Sequence, residues 1–176
     1  AYAASLVVAD SASLSLGTSG VLAFPVDEPL VGDEFRTLIG CTPARYYLES
    51  VLQCGSATLT WLYDTFLGAD RHELRRVEAL AGQIPPGSEG LLLLPYWRGC
   101  RVPHNDPETR GVVAGWTDRH TLPHFHRAVL EGIALEASRL AHMVRDRYRL
   151  PLTMLAAGGG GAVSDLWCQI LSDAFG

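Results

Sequence analysis

The chain has 176 residues, 48% of them hydrophobic, which is enough to bury one sizeable core and favours a single domain. Its net charge of -5 is spread without long runs and no apolar stretch could span a bilayer or act as a secretory signal, so we expect a cytoplasmic protein with neither a nucleic-acid nor a membrane partner. All fourteen basic side chains are arginine, and the absence of lysine excludes a Walker A phosphate clamp, a Schiff base and covalent pyridoxal phosphate.

The first half of the chain predicts a β-hairpin, one further strand and two helices. The hairpin covers residues 12–26, because β-compatible apolar residues flank a glycine-bounded turn at residues 17–20. Residues 46–52 have strand character. Helical spacing of apolar residues follows from about residue 55 to 67 and, less regularly, from 73 to 81.

The second half predicts strands interleaved with amphipathic helices. The apolar run at residues 91–94 is expected to be a central strand buried on both faces, and residues 112–116 a short strand. The clearest helix runs from about residue 123 to 146, with Thr121 as its cap. Residues 152–157 are predicted to form another buried strand. This order of elements indicates an α/β fold.

Two glycine-rich turns have the features that best fit nucleotide binding. In the turn at residues 17–20, glycines permit positive φ values that aim N–H groups at an anion, and the hydroxyls of Thr18 and Ser19 add neutral donors. The turn at residues 158–161 precedes a helix capped by Ser164, and its lack of side chains lets adenine or ribose approach the backbone. Each turn taken alone also fits a purely structural hairpin or crossover.

Three histidines and one glutamate are further candidates for chemistry. His120, His124 and His126 fall at spacings resembling a metal site, but no cysteine or carboxylate lies at ligand spacing, and side chains two positions apart at a helix start point in different directions. We therefore expect no metal-ligating residues. Glu131 beside Gly132 is expected to serve helix packing rather than act as a general base.

Four segments, in this order, resemble the C-terminal half of the FGGY sugar kinases, with xylulokinase-like members the most similar. They are LSLGTSG at residues 14–20, LLLLPYWRGCRVPHNDPETRG at 91–111, GVVAGWTDRHTLPHFHRAVLEGIA at 111–134 and GGGGAVSDLWCQIL at 158–171. The third segment resembles the second signature of the family, with matching residues at Gly111, Gly115, His124, Ala128 and Glu131.

The resemblance implies an actin-like ATPase fold, in which two ribonuclease H-like domains hold ATP between them and each has a mixed sheet flanked by helices. Residues 1–176 would form most of the C-terminal, ATP-facing domain, an incomplete unit without the N-terminal sugar-binding domain. The implied activity is phosphorylation of a sugar hydroxyl by ATP with Mg²⁺, on a ketopentose such as xylulose or a related sugar or polyol. The catalytic aspartate is expected upstream of Ala1, with Asp10 a poor substitute, so the fragment alone is expected to be inactive.

By the same resemblance, one group of residues lies near the ATP phosphates, a second begins the helix that lines the nucleotide site, and a third surrounds the adenosine. The expected ATP-binding residues are Gly17, Thr18, Ser19, Gly55, Ser56, Gly159, Gly160, Gly161, Ser164 and Asp165. Two alternatives stay open, a non-catalytic actin-like module that binds nucleotide and an unrelated α/β domain with structural glycine turns. The oligomeric state, including a homodimer, is open as well.

Overall fold

The computed structural model describes residues 10–40, 46–66, 68 and 71–176. Seven strands lie in this part of the chain: β1 Ser11–Leu16, β2 Gly20–Val26, β3 Arg36–Ile39, β4 Tyr46–Leu52, β5 Leu92–Leu94, β6 Val112–Ala114 and β7 Met154–Gly158. The α-helices are α1 Ser56–Phe66, α2 Arg71–Ala81, α3 Leu122–Tyr148 and α4 Asp165–Phe175. None of these described helices is both long and apolar enough to cross a bilayer.

The main sheet has five strands in the order β3-β4-β2-β1-β7. All neighbours are antiparallel except β1 and β7, which run parallel. The predicted hairpin is confirmed as β1 and β2, with Leu14 opposite Leu22. Because side chains alternate along a strand, Ala12, Leu14 and Leu16 of β1 all point into the same core, where each is fully buried.

Helix α3 is the centre of the core and packs against α2, α4 and the sheet. The predicted cap is confirmed, because Thr121 has extended backbone angles and its N–H donates to Nδ1 of His124 at 3.1 Å. The helix ends at Tyr148, after which Arg149 takes a left-handed conformation with φ of 53°. The sequence thus places this helix correctly, within a few residues at its C-terminal end.

Two strands that the sequence predicted to be buried are not. β5 belongs to a separate two-stranded sheet with β6, and Leu92 and Leu94 are 62% and 53% exposed. Only the side of β5 that carries Leu93 packs on α3. β7 is the last strand of the main sheet order, and its Met154 is 45% exposed. The prediction that these strands are buried was therefore wrong. Over so few residues, an apolar run has the same composition whether one face of the strand is covered or both.

Candidate functional site

The turn between β1 and β2 is the first part of the candidate site. The N–H of Gly17 donates to the carbonyl oxygen of Ser19 at 3.1 Å, which closes the turn. Thr18 is exposed at its tip. Within the part of the chain that the structure describes, the N–H groups of Thr18 and Ser19 have no acceptor. The turn therefore presents backbone and hydroxyl donors to solvent, a combination that suits an anion.

The start of α1 is packed directly against this turn. The N–H of Ser56 donates to the carbonyl oxygen of Gly17 at 2.8 Å, and the Ser56 hydroxyl donates to the carbonyl oxygen of Leu16 at 3.2 Å. A Cβ at Gly55 would lie only 2.6 Å from the Gly17 carbonyl oxygen. The absence of a side chain at Gly55 is thus what lets the helix N-terminus reach the turn.

The second glycine-rich turn reaches the same place from the other side of β1. Because β1 and β7 are parallel, with Ser15 opposite Gly158, both strands end at the same edge of the sheet. Gly159 has φ of 90°, and a Cβ there would lie 2.9 Å from the Leu16 carbonyl oxygen. A Cβ at Gly161 would lie 2.8 Å from the Leu16 Cβ. The two turns, distant in sequence, therefore meet around Leu16.

Ser164 and Asp165 follow the second turn at the start of α4. The Ser164 hydroxyl oxygen accepts a hydrogen bond from the N–H of Trp167 at 3.1 Å, so the predicted cap is confirmed. The same hydroxyl donates to the carboxylate of Glu78 on α2. Asp165 is exposed in the first turn of α4. Sequence reasoning missed Glu78, because nothing in the pattern of α2 links it to a residue 86 positions away.

Behind the site, a buried histidine joins α1 to α3. His126 is 2% exposed, and its Nδ1 is hydrogen-bonded to the hydroxyl of Tyr63 at 2.6 Å. Burial lowers the pKa of His126 to about 4. Desolvation also raises the pKa of Tyr63, with a further contribution from the negative charge of Glu78. At neutral pH this contact is therefore between an uncharged imidazole and an un-ionised phenol.

The other two histidines of the candidate cluster have separate local partners. Nδ1 of His120 accepts a hydrogen bond from the N–H of Thr117 at 2.9 Å, whereas His124 serves the α3 cap. Nε2 of His124 lies 3.7 Å from the carboxylate of Glu89. Among the described residues, no group of three or more potential ligands could hold a metal ion.

Glu131 holds the turn before β5 against α3. Its carboxylate accepts hydrogen bonds from the N–H of Gly87 at 3.0 Å and the hydroxyl of Ser88 at 3.2 Å. It also pairs with Nε of Arg127 at 2.7 Å. A Cβ at the next residue, Gly132, would lie 2.5 Å from the carbonyl oxygen of Leu93. These contacts agree with the expected packing role of Glu131.

Comparison with solved structures identifies the architecture. The xylulose kinase of Rhodospirillum rubrum superposes with a TM-score of 0.88, at 24% sequence identity, over 98% of this chain and 35% of that protein. The chain therefore has the actin-like ATPase fold, as a partial domain whose mixed sheet is flanked by helices. This confirms the fold class expected from the sequence.

Residues 12–176 match the C-terminal domain of the FGGY family of carbohydrate kinases, and the chain belongs to that family. It is 34% identical over 177 residues to the xylulose kinase of Escherichia coli, covering 97% of this chain and 35% of that protein. It is 30% identical over 174 residues to the gluconokinase of Bacillus subtilis, covering 93% and 34%. The chain spans about a third of the length of these relatives. The resemblance is confirmed, and the alternative of an unrelated α/β domain is wrong.

Proposed function

We propose that this chain forms the ATP-facing surface of a sugar kinase, which transfers the γ-phosphoryl group of Mg-ATP to a sugar hydroxyl. The observation that carries the proposal is the meeting of the two glycine-rich turns around Leu16. Phosphoryl transfer depends mainly on positioning and charge stabilisation, and a side-chain-poor cradle with N–H donors supplies the positioning. Membership of the FGGY family supports ATP as the phosphoryl donor.

The distribution of charged residues favours one orientation of the bound nucleotide across the two turns. Neither residues 14–22 nor residues 54–59 contain a carboxylate, whereas Glu78 and Asp165 lie beside the second turn. The negative charge of those carboxylates would repel the phosphates. The N–H and hydroxyl groups around Thr18 would instead donate hydrogen bonds to them. Val163, 84% exposed next to the second turn, offers an apolar surface that a purine ring could cover. We therefore place the phosphates at Gly17–Ser19 and Gly55–Ser56, and the adenosine at Gly159–Gly161, Ser164 and Asp165.

The magnesium ion and the catalytic base need groups outside this surface. Because the residues around the phosphate end carry no carboxylate, they do not form a Mg²⁺ site by themselves, and we take the ion as part of the Mg-ATP substrate. Asp10 precedes the six-residue strand β1 at the end opposite the turn, roughly 20 Å away along the strand. In our proposal the base is an aspartate upstream of Ala1 that deprotonates the sugar hydroxyl, so residues 1–176 alone are inactive.

The proposed site is an open surface rather than a closed cavity. A cavity of about 480 Å³ lies between β5, α3 and α4 and is lined mainly by leucines and by ion-paired side chains. That cavity offers few free hydrogen-bonding groups to a triphosphate. A surface that forms one wall of a cleft between two domains would be open when seen without the other wall. Closure of the two domains would then exclude water from the transfer step.

The substrate class follows from the relatives. The Escherichia coli relative is a xylulose kinase and the Bacillus subtilis relative a gluconokinase, so the family relationship alone leaves several sugars open. We propose a ketopentose such as xylulose as the first acceptor to test. The test is a coupled ADP-release assay of the full-length protein against ketopentoses, hexuloses, aldonates and polyols. ADP release that depends on one of these sugars is the expected result.

A variant at the turn connects this activity to the structure. Thr18→Phe places a large ring at the tip of the first turn and should raise the KM for ATP or lower kcat. Thr65→Phe, at the exposed far end of α1, is the matched control and should leave both unchanged. Wild-type kinetics in Thr18→Phe would contradict the proposed site. Binding of Mg-ATP without turnover on any sugar would instead favour a non-catalytic nucleotide-binding module.

A further inference from the structure

Glu78 lies in the proposed nucleotide site although no sequence motif points to it. Its carboxylate accepts a hydrogen bond from the hydroxyl of Ser164, which caps α4 directly after the second glycine-rich turn. Its charge also acts on the phenol of Tyr63 in α1. Glu78 is therefore held at the start of α4, on the side of the site where we place the nucleoside.

The carboxylate of Glu78 has unused capacity to accept hydrogen bonds. Ser164 engages Oε1, and within the described part of the chain Oε2 has no partner. Among the arginine side chains that the structure describes, none forms an ion pair with Glu78, and Arg76 of the same helix pairs with Glu73 at 2.8 Å. A half-buried carboxylate of this kind gains most from a ligand that brings hydroxyl donors and no negative charge. The vicinal hydroxyls of a ribose have this chemistry, whereas phosphates do not.

We propose that Glu78 accepts hydrogen bonds from the ribose hydroxyls of the bound nucleotide, with Ser164 fixing its carboxylate, and that it thereby selects ribonucleotides over deoxyribonucleotides. This inference rests on the proposed function, because it requires the nucleotide to lie between the two turns with its phosphates near Thr18. It adds a residue that discriminates among nucleotides, from a helix outside both glycine-rich turns.

The test compares nucleotides in the full-length protein. Calorimetry and steady-state kinetics are run with Mg-ATP, its 2′-deoxy and 3′-deoxy analogues, and the purine riboside triphosphate that lacks the 6-amino group. Wild-type protein should bind ATP at least roughly tenfold more tightly than one of the deoxy analogues, as expected for a hydrogen bond to a charged acceptor. Glu78→Gln should weaken ATP binding and lose most of that preference. Glu73→Gln, the same change on the exposed face of the same helix, should behave as wild type.

The possible failures are separable. If wild-type protein binds no Mg-ATP, the proposed function fails. If it binds ATP and both deoxy analogues equally, or if Glu78→Gln keeps the full preference, the role of Glu78 is refuted while the nucleotide site stands. If Glu78→Gln instead loses discrimination against the analogue without the 6-amino group, Glu78 contacts the base and the ribose assignment is overturned. The wild-type comparison needs no variant, so poor folding of Glu78→Gln would not prevent the test.

Discussion

Gly55 and Gly160 both belong to the proposed nucleotide site, yet their surroundings differ. A Cβ at Gly55 would meet the backbone of the first turn, at 2.6 Å from the Gly17 carbonyl oxygen and 2.7 Å from the carbonyl carbon of Ser19. A Cβ at Gly160 would meet no protein atom within 4 Å. Gly55 is therefore required by the fold, whereas the space in front of Gly160 is open for a ligand.

This difference predicts opposite behaviour of two alanine variants. Gly55→Ala should lower the free energy of unfolding by about 1–3 kcal/mol, because the added methyl group collides with backbone that cannot move aside cheaply. Gly160→Ala should leave stability nearly unchanged and weaken Mg-ATP binding. Denaturant unfolding and calorimetry of the full-length variants separate the two effects. Unchanged ATP affinity in Gly160→Ala would argue against adenosine at the second turn.

His126 predicts a pH dependence of stability. Its pKa is about 4 in the folded protein, below the 6.5 of an unperturbed histidine, so the unfolded chain binds the extra proton between these values. Uncharged His126 therefore contributes up to about 3 kcal/mol to the free energy of unfolding. This contribution is fully present above about pH 6.5 and is lost as the pH falls toward 4. His126→Gln should flatten the pH dependence of unfolding over this range, and His104→Gln, at an exposed loop position, should not. Equal pH slopes in wild type and His126→Gln would contradict this.

At the scale of elements, α3 and the turn before β5 are joined through Glu131 and Gly132. Removing the Glu131 carboxylate would leave the largely buried guanidinium of Arg127 without its partner and the donors of Gly87 and Ser88 without an acceptor. Breaking such a pair on one side is costly because a buried charge is left uncompensated. Within the third segment, Glu131 therefore holds the turn before β5, and Gly132 leaves room for the backbone of Leu93.

Glu131→Ala should accordingly reduce the free energy of unfolding by about 3 kcal/mol or more, with turnover per folded molecule nearly unchanged. Asp146→Ala, which removes a solvent-exposed pair on the same helix, is the control and should have little effect on either quantity. Unfolding curves and active-site-normalised kinetics are the measurements. A stable but inactive Glu131→Ala protein would indicate a catalytic role and contradict the packing account.

Periodicity in the sequence was sufficient for elements with a long repeated pattern and insufficient for short ones. Helix α3 and the β1–β2 hairpin were predicted because many apolar residues in each recur at the same spacing. β3 was not predicted, since its four residues are mostly exposed and show no apolar alternation. β5 was predicted as a strand but with the wrong environment, because whether a three-residue strand is covered on one face or two is decided by its neighbours.

At the scale of the whole molecule, the two glycine-rich turns could be predicted from the sequence. The residues that pack around them in the folded chain could not. Glycine runs indicate where a backbone can be approached, and the parallel pairing of β1 with β7 explains why both turns reach Leu16. The Ser164–Glu78 contact joins residues 86 positions apart through tertiary packing, so no local sequence pattern predicts it. Long-range polar contacts of this kind are the part of a site that a single sequence leaves undetermined.

The most direct test of the central claim is hydrogen–deuterium exchange of the full-length protein with and without Mg-ATP. The account predicts that peptides covering residues 14–22, 54–60 and 158–166 gain protection together, because one nucleotide contacts both turns and the start of α1. Protection confined to one of the turns, or located elsewhere while calorimetry reports binding, would contradict it.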